Sequence, residues 1–529
     1  MITNRTIKIR PEKSTHKEYI LEEIAKASGI AVEDVNDFIV VRRSVDARKH
    51  PIMFNLSIQV ATGEDKKVTS LVRPFDFKEV DKDAPVAVIV GSGPAGLFAA
   101  LEAIKCGIRP IVLERGKSVD ERRLDLANIS REKKINPVSN YCFGEGGAGT
   151  YSDGKLYTRS KKRGSVEDIL QILVQHGAPE SILIDAHPHI GSDKLPNVIK
   201  AIRETIIKCG GEVHFETKVE EIIIESGTAC GVKANGVEYR GDGVILATGH
   251  SAHDTFKKLY SQGVPIEPKG IAIGVRLEHP QELIDQIQYK SKKGRGKFLP
   301  PAEYSFVTQS EGRGVYSFCM CPGGVIVPAG SDSGELVVNG MSASARAGKW
   351  ANSGMVVELH PGDIEVNNPG SSLEMLEVQE TLERKMYEMS GNSIIAPAQR
   401  MKDFVDGKIS ASLPATSYAP GIQSKDFNQL LPEFISKRLK DGFKAFGRKA
   451  KGFLTNQAVL IGLESRTSSP IRIVRDSNRL ESVGIKNLYP AGEGAGYAGG
   501  IVSAAIDGMR CAKAFALNNN IVRDTTDNL

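Results

Sequence analysis

Gly91-Ser92-Gly93-Pro94-Ala95-Gly96, followed 23 positions after Gly91 by Glu114, is the stretch whose residue types and spacing bear most directly on chemistry. Gly91 lets the chain turn sharply, Gly93 lets the backbone come close to a pyrophosphate, and Gly96 lets a helix lie tightly on the preceding strand. The free N–H groups and positive dipole of that helix start favour phosphate charge. Glu114 is placed to accept hydrogen bonds from ribose hydroxyls. The chemistry implied is the holding of a dinucleotide. The same glycine spacing recurs at Gly144–Gly149 and Gly494–Gly499, without the full strand, turn, helix, strand and acid context. Those copies are expected to line the same site through Gly146, Gly147, Ala148 and Gly149, and through Gly492, Glu493, Gly499, Gly500 and Ile501.

Other residues could act beside it. Arg115 and Arg122 follow the fingerprint and could reach a pyrophosphate. Glu145, Asp153, Lys155 and Tyr497 are acid and base candidates because they stand in the glycine-rich loops. Cys319-Met-Cys321 offers two thiols one residue apart, a tighter spacing than the usual dithiol motif. His187-Pro-His189 has no third ligand at a familiar spacing, so no metal is expected. Arg42 to His50 is a basic cluster that could grip an RNA backbone or stand as a solvated hairpin tip.

These residues need elements to hold them. Val86–Val90 reads as a strand buried on both faces, and Leu97, Leu101 and Ile104 give the next helix its apolar stripe. Ile111-Val-Leu113 is the neighbouring parallel strand. Gly243–Gly249 reads as a buried strand ending in the small residues Ala247, Thr248 and Gly249. Asn487–Pro490 is another, followed by a helix opening near Ile501. The expected class is α/β, with a discontinuous Rossmann-like domain over 84–262 and 453–529. Between them, 263–452 lacks the helix-after-strand rhythm and reads as an inserted antiparallel substrate or lid domain. Residues 1–80 read as a small α+β unit with a helical stripe of Tyr19, Ile20, Ile24 and Ala27.

With 529 residues, several domains are expected. A net charge of +5 makes no general case for nucleic acid or a membrane. Seven scattered cysteines and an N-terminus without an apolar leader point to a cytoplasmic protein.

The fingerprint with Glu114, the Val-Ile-Leu-Ala-Thr-Gly249 strand and Leu-Tyr-Pro-Ala-Gly-Glu493 together resemble the FAD-binding domain of glutathione-reductase-like flavoproteins. More closely, the chain resembles a bacterial family of uncharacterised FAD-dependent dehydrogenases. The matching stretches are Phe143–Lys155, Pro188–Asp193, Cys319–Gly324, Glu464–Pro470 and Gly492–Gly500. The resemblance implies FAD, with residues 144–149 and 492–501 around the flavin, Glu493 at the ribitol and Val219 touching the adenine through its backbone. The function expected is hydride transfer between flavin and a small organic substrate, with NAD(P)H as a possible transient donor. The alternatives are an RNA-modifying flavoprotein and a non-catalytic FAD-binding protein.

Overall fold

The computed structural model describes residues 1–158 and 163–521, and the end of the C-terminal segment lies outside them. Five parallel strands form the central sheet, in the spatial order Leu488–Pro490, Gly243–Leu246, Val86–Val90, Arg109–Leu113, Glu212–His214. Val86–Val90 lies in the middle, covered on both faces, which is why its apolar run does not alternate. The helix Pro94–Lys105 buries every residue from Ala95 to Ile104. It packs on the long helix Ile501–Asn518 so closely that a Cβ on Gly508 would lie 2.0 Å from the Ala95 carbonyl oxygen. The opposite face of the sheet is covered by an antiparallel three-stranded sheet, Val219–Glu225, Thr228–Ala234 and Val237–Arg240, and by the helix His253–Ser261.

The second core is a large sheet built from residues 271–464. Its strands run Val307–Ser310, Arg313–Pro328, Trp350–Leu359, Ile271–Pro280, Val459–Glu464, Ala396–Arg400, Ile422–Ser424, and Val338–Met341 pairs with the end of Arg313–Pro328. All pairings are antiparallel except the last on the path, Ala396–Arg400 with Ile422–Ser424. Phe443, Phe446 and Phe453 are fully buried beneath it, each stabilising the fold by about 1.5–3 kcal/mol through apolar burial. One expectation is corrected here. Val459–Glu464, read from sequence with the C-terminal nucleotide segment, is a central strand of this large sheet, between Ile271–Pro280 and Ala396–Arg400. An apolar strand buried on both faces has the same residue pattern in either kind of sheet, so only long-range pairing distinguishes them.

At the N-terminus, Ile2–Ile9, Met53–Thr62 and Val35–Asp46 form an antiparallel sheet with the helix Lys17–Ser28 across it. That helix buries Ile20, Ile24 and Ala25, while Tyr19 and Ala27 face solvent, so the stripe is narrower than expected. Arg42 and Arg43 lie within a strand rather than at a hairpin tip. Arg43 docks this unit onto the rest of the chain. Its N–H donates to Ile184 O at 2.8 Å, its carbonyl accepts from Ala186 N at 2.9 Å, and its guanidinium meets Asp185 at 2.8 Å. Arg48 is held by Asp46 at 2.8 Å.

Candidate functional site: a glycine-lined cleft roofed by the large sheet

The strand Val86–Val90 delivers the chain to Gly91 at φ +102°, where a Cβ would lie 2.5 Å from Ala247 O. A Cβ on Gly96 would lie 1.9 Å from Gly91 O. Both glycines therefore allow backbone to touch backbone. Gly93 differs, because it caps the helix Pro94–Lys105 and a Cβ there would meet nothing within 4 Å. The same open space lies over Gly249, Gly499 and Gly500. These four glycines line one cleft, joined by Gly91, Pro94 and Ala95 of the fingerprint. Gly147, Ala148 and Gly149 form another wall, and Ala247 and Thr248 a third. Glu493 and Ile501 close it from the C-terminal segment, and Glu114, Arg115 and Val219 lie along it.

This cradle fits a dinucleotide with a flat ring system, because bare glycine backbone and two helix starts meet in it. Gly93 and Gly500 immediately precede the helices Pro94–Lys105 and Ile501–Asn518. Glu114 holds the cleft's loops together as well as lining it. Its carboxylate accepts from Ser92 N at 3.0 Å, Ser92 Oγ at 2.8 Å, Gly116 N at 2.9 Å and Gly144 N at 3.0 Å. Arg115 donates to Asp254 at 2.9 Å and Thr255 at 3.1 Å, and its guanidinium lies 4.3 Å from the centre of the Phe143 ring.

Eight expected site residues do not line the cleft, Cys321 among them. Ser92 is turned to Glu114, Gly96 packs the helix against the turn, and Gly492 packs against Ala95. Gly146 sits over Thr150 and Ile199. Arg122 is fully buried and donates to the carbonyls of Asn140, Glu145 and Gly147 at 2.8–2.9 Å, so it ties the loop instead of reaching the cleft. Glu145 is buried, accepts from Val119 N at 2.8 Å and meets Arg203 at 3.3 Å. Tyr497 spends its hydroxyl on Ile473 O at 2.9 Å and Arg475 N at 3.2 Å. Arg122, Glu145 and Tyr497 are polar side chains taken up by neighbouring backbone, which loop position in the sequence does not reveal.

Asp153, Lys155 and Cys319 do line the cleft, and Cys321 is buried behind it. Lys155 donates to Met320 O and lies 3.8 Å from Asp153. Asp153 also takes two hydrogen bonds from Arg346, at 2.9 and 2.5 Å. Arg346 in turn pairs with Glu303, which meets His187 Nδ1 at 3.2 Å, while His189 Nε2 faces Ser344 O at 3.1 Å. Sequence reading missed Arg346, His250 and Arg276. Arg276 did leave a signal, a lone arginine inside the apolar run Ile271–Leu277, since a charge there requires a partner. It is fully buried, with Glu464 at 3.1 Å and Cys319 O at 2.9 Å. His250 lines the cleft 4.0 Å from Glu493. Burial pulls His250 down to about 4 and pushes Glu493 up to about 7. Nearby, the guanidinium of Arg466 joins Glu335 at 2.6 Å to Glu383 at 2.8 Å, with His253 beside them.

Residues 270–467 match the family model described as FAD-dependent protein, C-terminal domain-like, and residues 87–122 match an FAD binding domain. Residues 1–61 match a domain of unknown function. An uncharacterized protein of Clostridium beijerinckii is 40% identical over 509 residues, covering 93% of this chain and 94% of its own. The chain belongs to the same family as that Clostridium protein. It is a flavoprotein whose cofactor is FAD, and an oxidoreductase in general class. A 4,4'-diapophytoene desaturase of Methylomonas is 43% identical over 53 residues, 10% of each chain. Among solved structures, a glycerol-3-phosphate dehydrogenase of Bacillus halodurans complexed with FAD aligns at TM-score 0.36 and 13% identity, over 83% of this chain and 66% of that one. A geranylgeranyl bacteriochlorophyll reductase-like protein of Thermoplasma acidophilum aligns at 0.35 and 14%, over 83% and 80%. Among the described residues no helix is long and apolar enough to cross a membrane.

Proposed function

We propose that the protein transfers a hydride between its flavin and a small organic substrate held under the large sheet, in the manner of the bacterial FAD-dependent dehydrogenases and glutathione-reductase-like flavoproteins it resembles. One observation carries this reading. Phe318, Cys319 and Asn339 of the large sheet line the same cleft as Gly93, Gly249 and Gly500 of the nucleotide fold. When bound, the flavin supplies a carrier for two electrons. Everything else falls to the chain. Gly93 and Gly500 let backbone approach the cofactor, and the two helix starts beside them favour phosphate charge and the negative charge of reduced flavin. Lys155, charged and anchored on Met320 O, suits the orientation of an anionic group better than the removal of a proton. Glu493, with its pKa near neutrality beside a neutral His250, is the group best placed to hold or release a proton.

The large sheet, taken as 263–464 with Val459–Glu464 included, is the substrate domain in this reading. NAD(P)H would serve as a transient donor, since a second complete nucleotide fingerprint is missing from the sequence. The RNA-modifying alternative finds no support in the family matches, and within the basic cluster Arg43 pairs with Asp185 and Arg48 with Asp46. Anaerobic stopped-flow mixing of the holoprotein with NADH, NADPH and a panel of small organic acids and alcohols tests the proposal. Loss of the flavin's visible absorbance within catalytic times with at least one of them is expected. A flavin that none of them reduces, and that none of their oxidised forms reoxidises, would speak for a non-catalytic role.

A further inference from the structure

The strand Arg313–Pro328 loses its register against Trp350–Leu359 twice, between Phe318 and Cys321 and again between Cys321 and Gly324. Cys319 stands in this interruption at φ +46°, a conformation that residues other than glycine rarely adopt. In an unbroken strand residues 319 and 321 would share one face. Here Cys319 forms part of the cleft wall while Cys321 is fully buried behind it. The Cys321 thiol reaches back to Cys319, its Sγ 3.3 Å from the Cys319 carbonyl oxygen. Two cations face the pair: Lys155 from the cleft side and the buried Arg276, whose Nη2 lies 3.5 Å from Cys321 Sγ. Both cysteines are free thiols.

We propose that Cys319 and Cys321 are a dithiol/disulfide couple that exchanges an electron pair with the flavin, Cys319 being the reactive sulfur and Cys321 its resolving partner. The proposal rests on the flavin reading of the cleft and adds a second redox centre to it. In the oxidising direction the Cys319 thiolate and the Cys321 thiol form one S–S bond, and the S–H bond of Cys321 breaks. The electron pair and that proton pass to oxidised flavin, giving its anionic two-electron-reduced form, with one negative charge on each side of the step. The reverse step opens the disulfide. The thiolate needed at the start is favoured first by the hydrogen bond from Cys321 and then, against burial, by Lys155 and Arg276, which together hold Cys319 well below the ordinary thiol range. A half-buried sulfur in the cleft wall, held low in pKa and backed by a buried partner, also defines the substrate class. It suits small disulfides, which Cys319 would attack to form a mixed disulfide that Cys321 resolves.

The test is a reductive titration with dithionite under argon of holoprotein first oxidised with diamide, followed by alkylation and peptide mapping. Wild type should take up about four electron equivalents per flavin, and Cys319→Ser and Cys321→Ser about two each, because a disulfide is a two-electron couple. Mapping should find the Cys319–Cys321 disulfide in diamide-treated wild type and free alkylable thiols after the titration. Lys155→Met should raise the pH at which Cys319 is alkylated, and Lys155→Arg should restore it. Uptake of about two equivalents by yellow wild type, or a disulfide that survives full bleaching of the flavin, overturns the inference and leaves the flavin reading intact. A protein that takes up no FAD fails the flavin reading instead, and mapping of the two thiols still decides whether they form a couple.

Discussion

Glu493 and His250 face each other across 4.0 Å at the edge of the cleft, and burial drives both toward their neutral forms. For Glu493 the sign is definite. Its folded pKa of about 7 lies above its ordinary 4.5, so the folded state binds a proton more readily than the unfolded chain. Stability tied to this group is therefore lost as pH rises from about 4.5 through 7. Glu493→Gln removes that slope. Urea unfolding of the apoprotein should show the variant gaining on wild type by about 1–2 kcal/mol between pH 5 and pH 8, and an unchanged difference would show that the carboxyl is ordinary. Residue types were legible in the sequence at this scale, but their partners were not. Arg122, Glu145 and Tyr497 have the chemistry of site residues, yet each is consumed by a carbonyl or an amide that only folding brings near.

The fingerprint glycines do two different jobs, and single methyl groups separate them. Gly93→Ala adds a Cβ into open space at φ −72°, so the apoprotein should unfold at the same urea concentration as wild type while its affinity for FAD falls at least about tenfold. Gly96→Ala drives a Cβ into the Gly91 carbonyl and should cost about 1–3 kcal/mol of stability through overpacking. Calorimetric titration with FAD and urea unfolding read the two effects apart, and equal stability losses would contradict this division. The strand–turn–helix–strand run from Val86 to Leu113 was legible because its signals are local: an apolar run, glycines at fixed offsets and a helical stripe. Val459–Glu464 was not, because its neighbours in the sheet lie about 60 and nearly 190 residues away in the chain. The bulge that separates Cys319 from Cys321 left no mark either, since it exists only relative to the strand Trp350–Leu359.

At the scale of the molecule, a parallel sheet supplies the cradle, a large mostly antiparallel sheet supplies its roof, and the N-terminal unit is fastened to the chain through Arg43. The α/β character and the discontinuity of the nucleotide fold could be read from the return of glycine-rich turns near the end of the sequence. The docking of the N-terminal sheet could not, because Asp185 and Ile184 carry no signal as partners for a basic cluster. All three parts serve one claim, that a cleft bare of side chains at Gly93, Gly249, Gly499 and Gly500 holds FAD. The visible absorption spectrum of the purified full-length protein, recorded before and after incubation with excess FAD and removal of unbound cofactor, tests that claim most directly. A flavin spectrum with close to one FAD per chain is the predicted result; protein that stays colourless after incubation would contradict it.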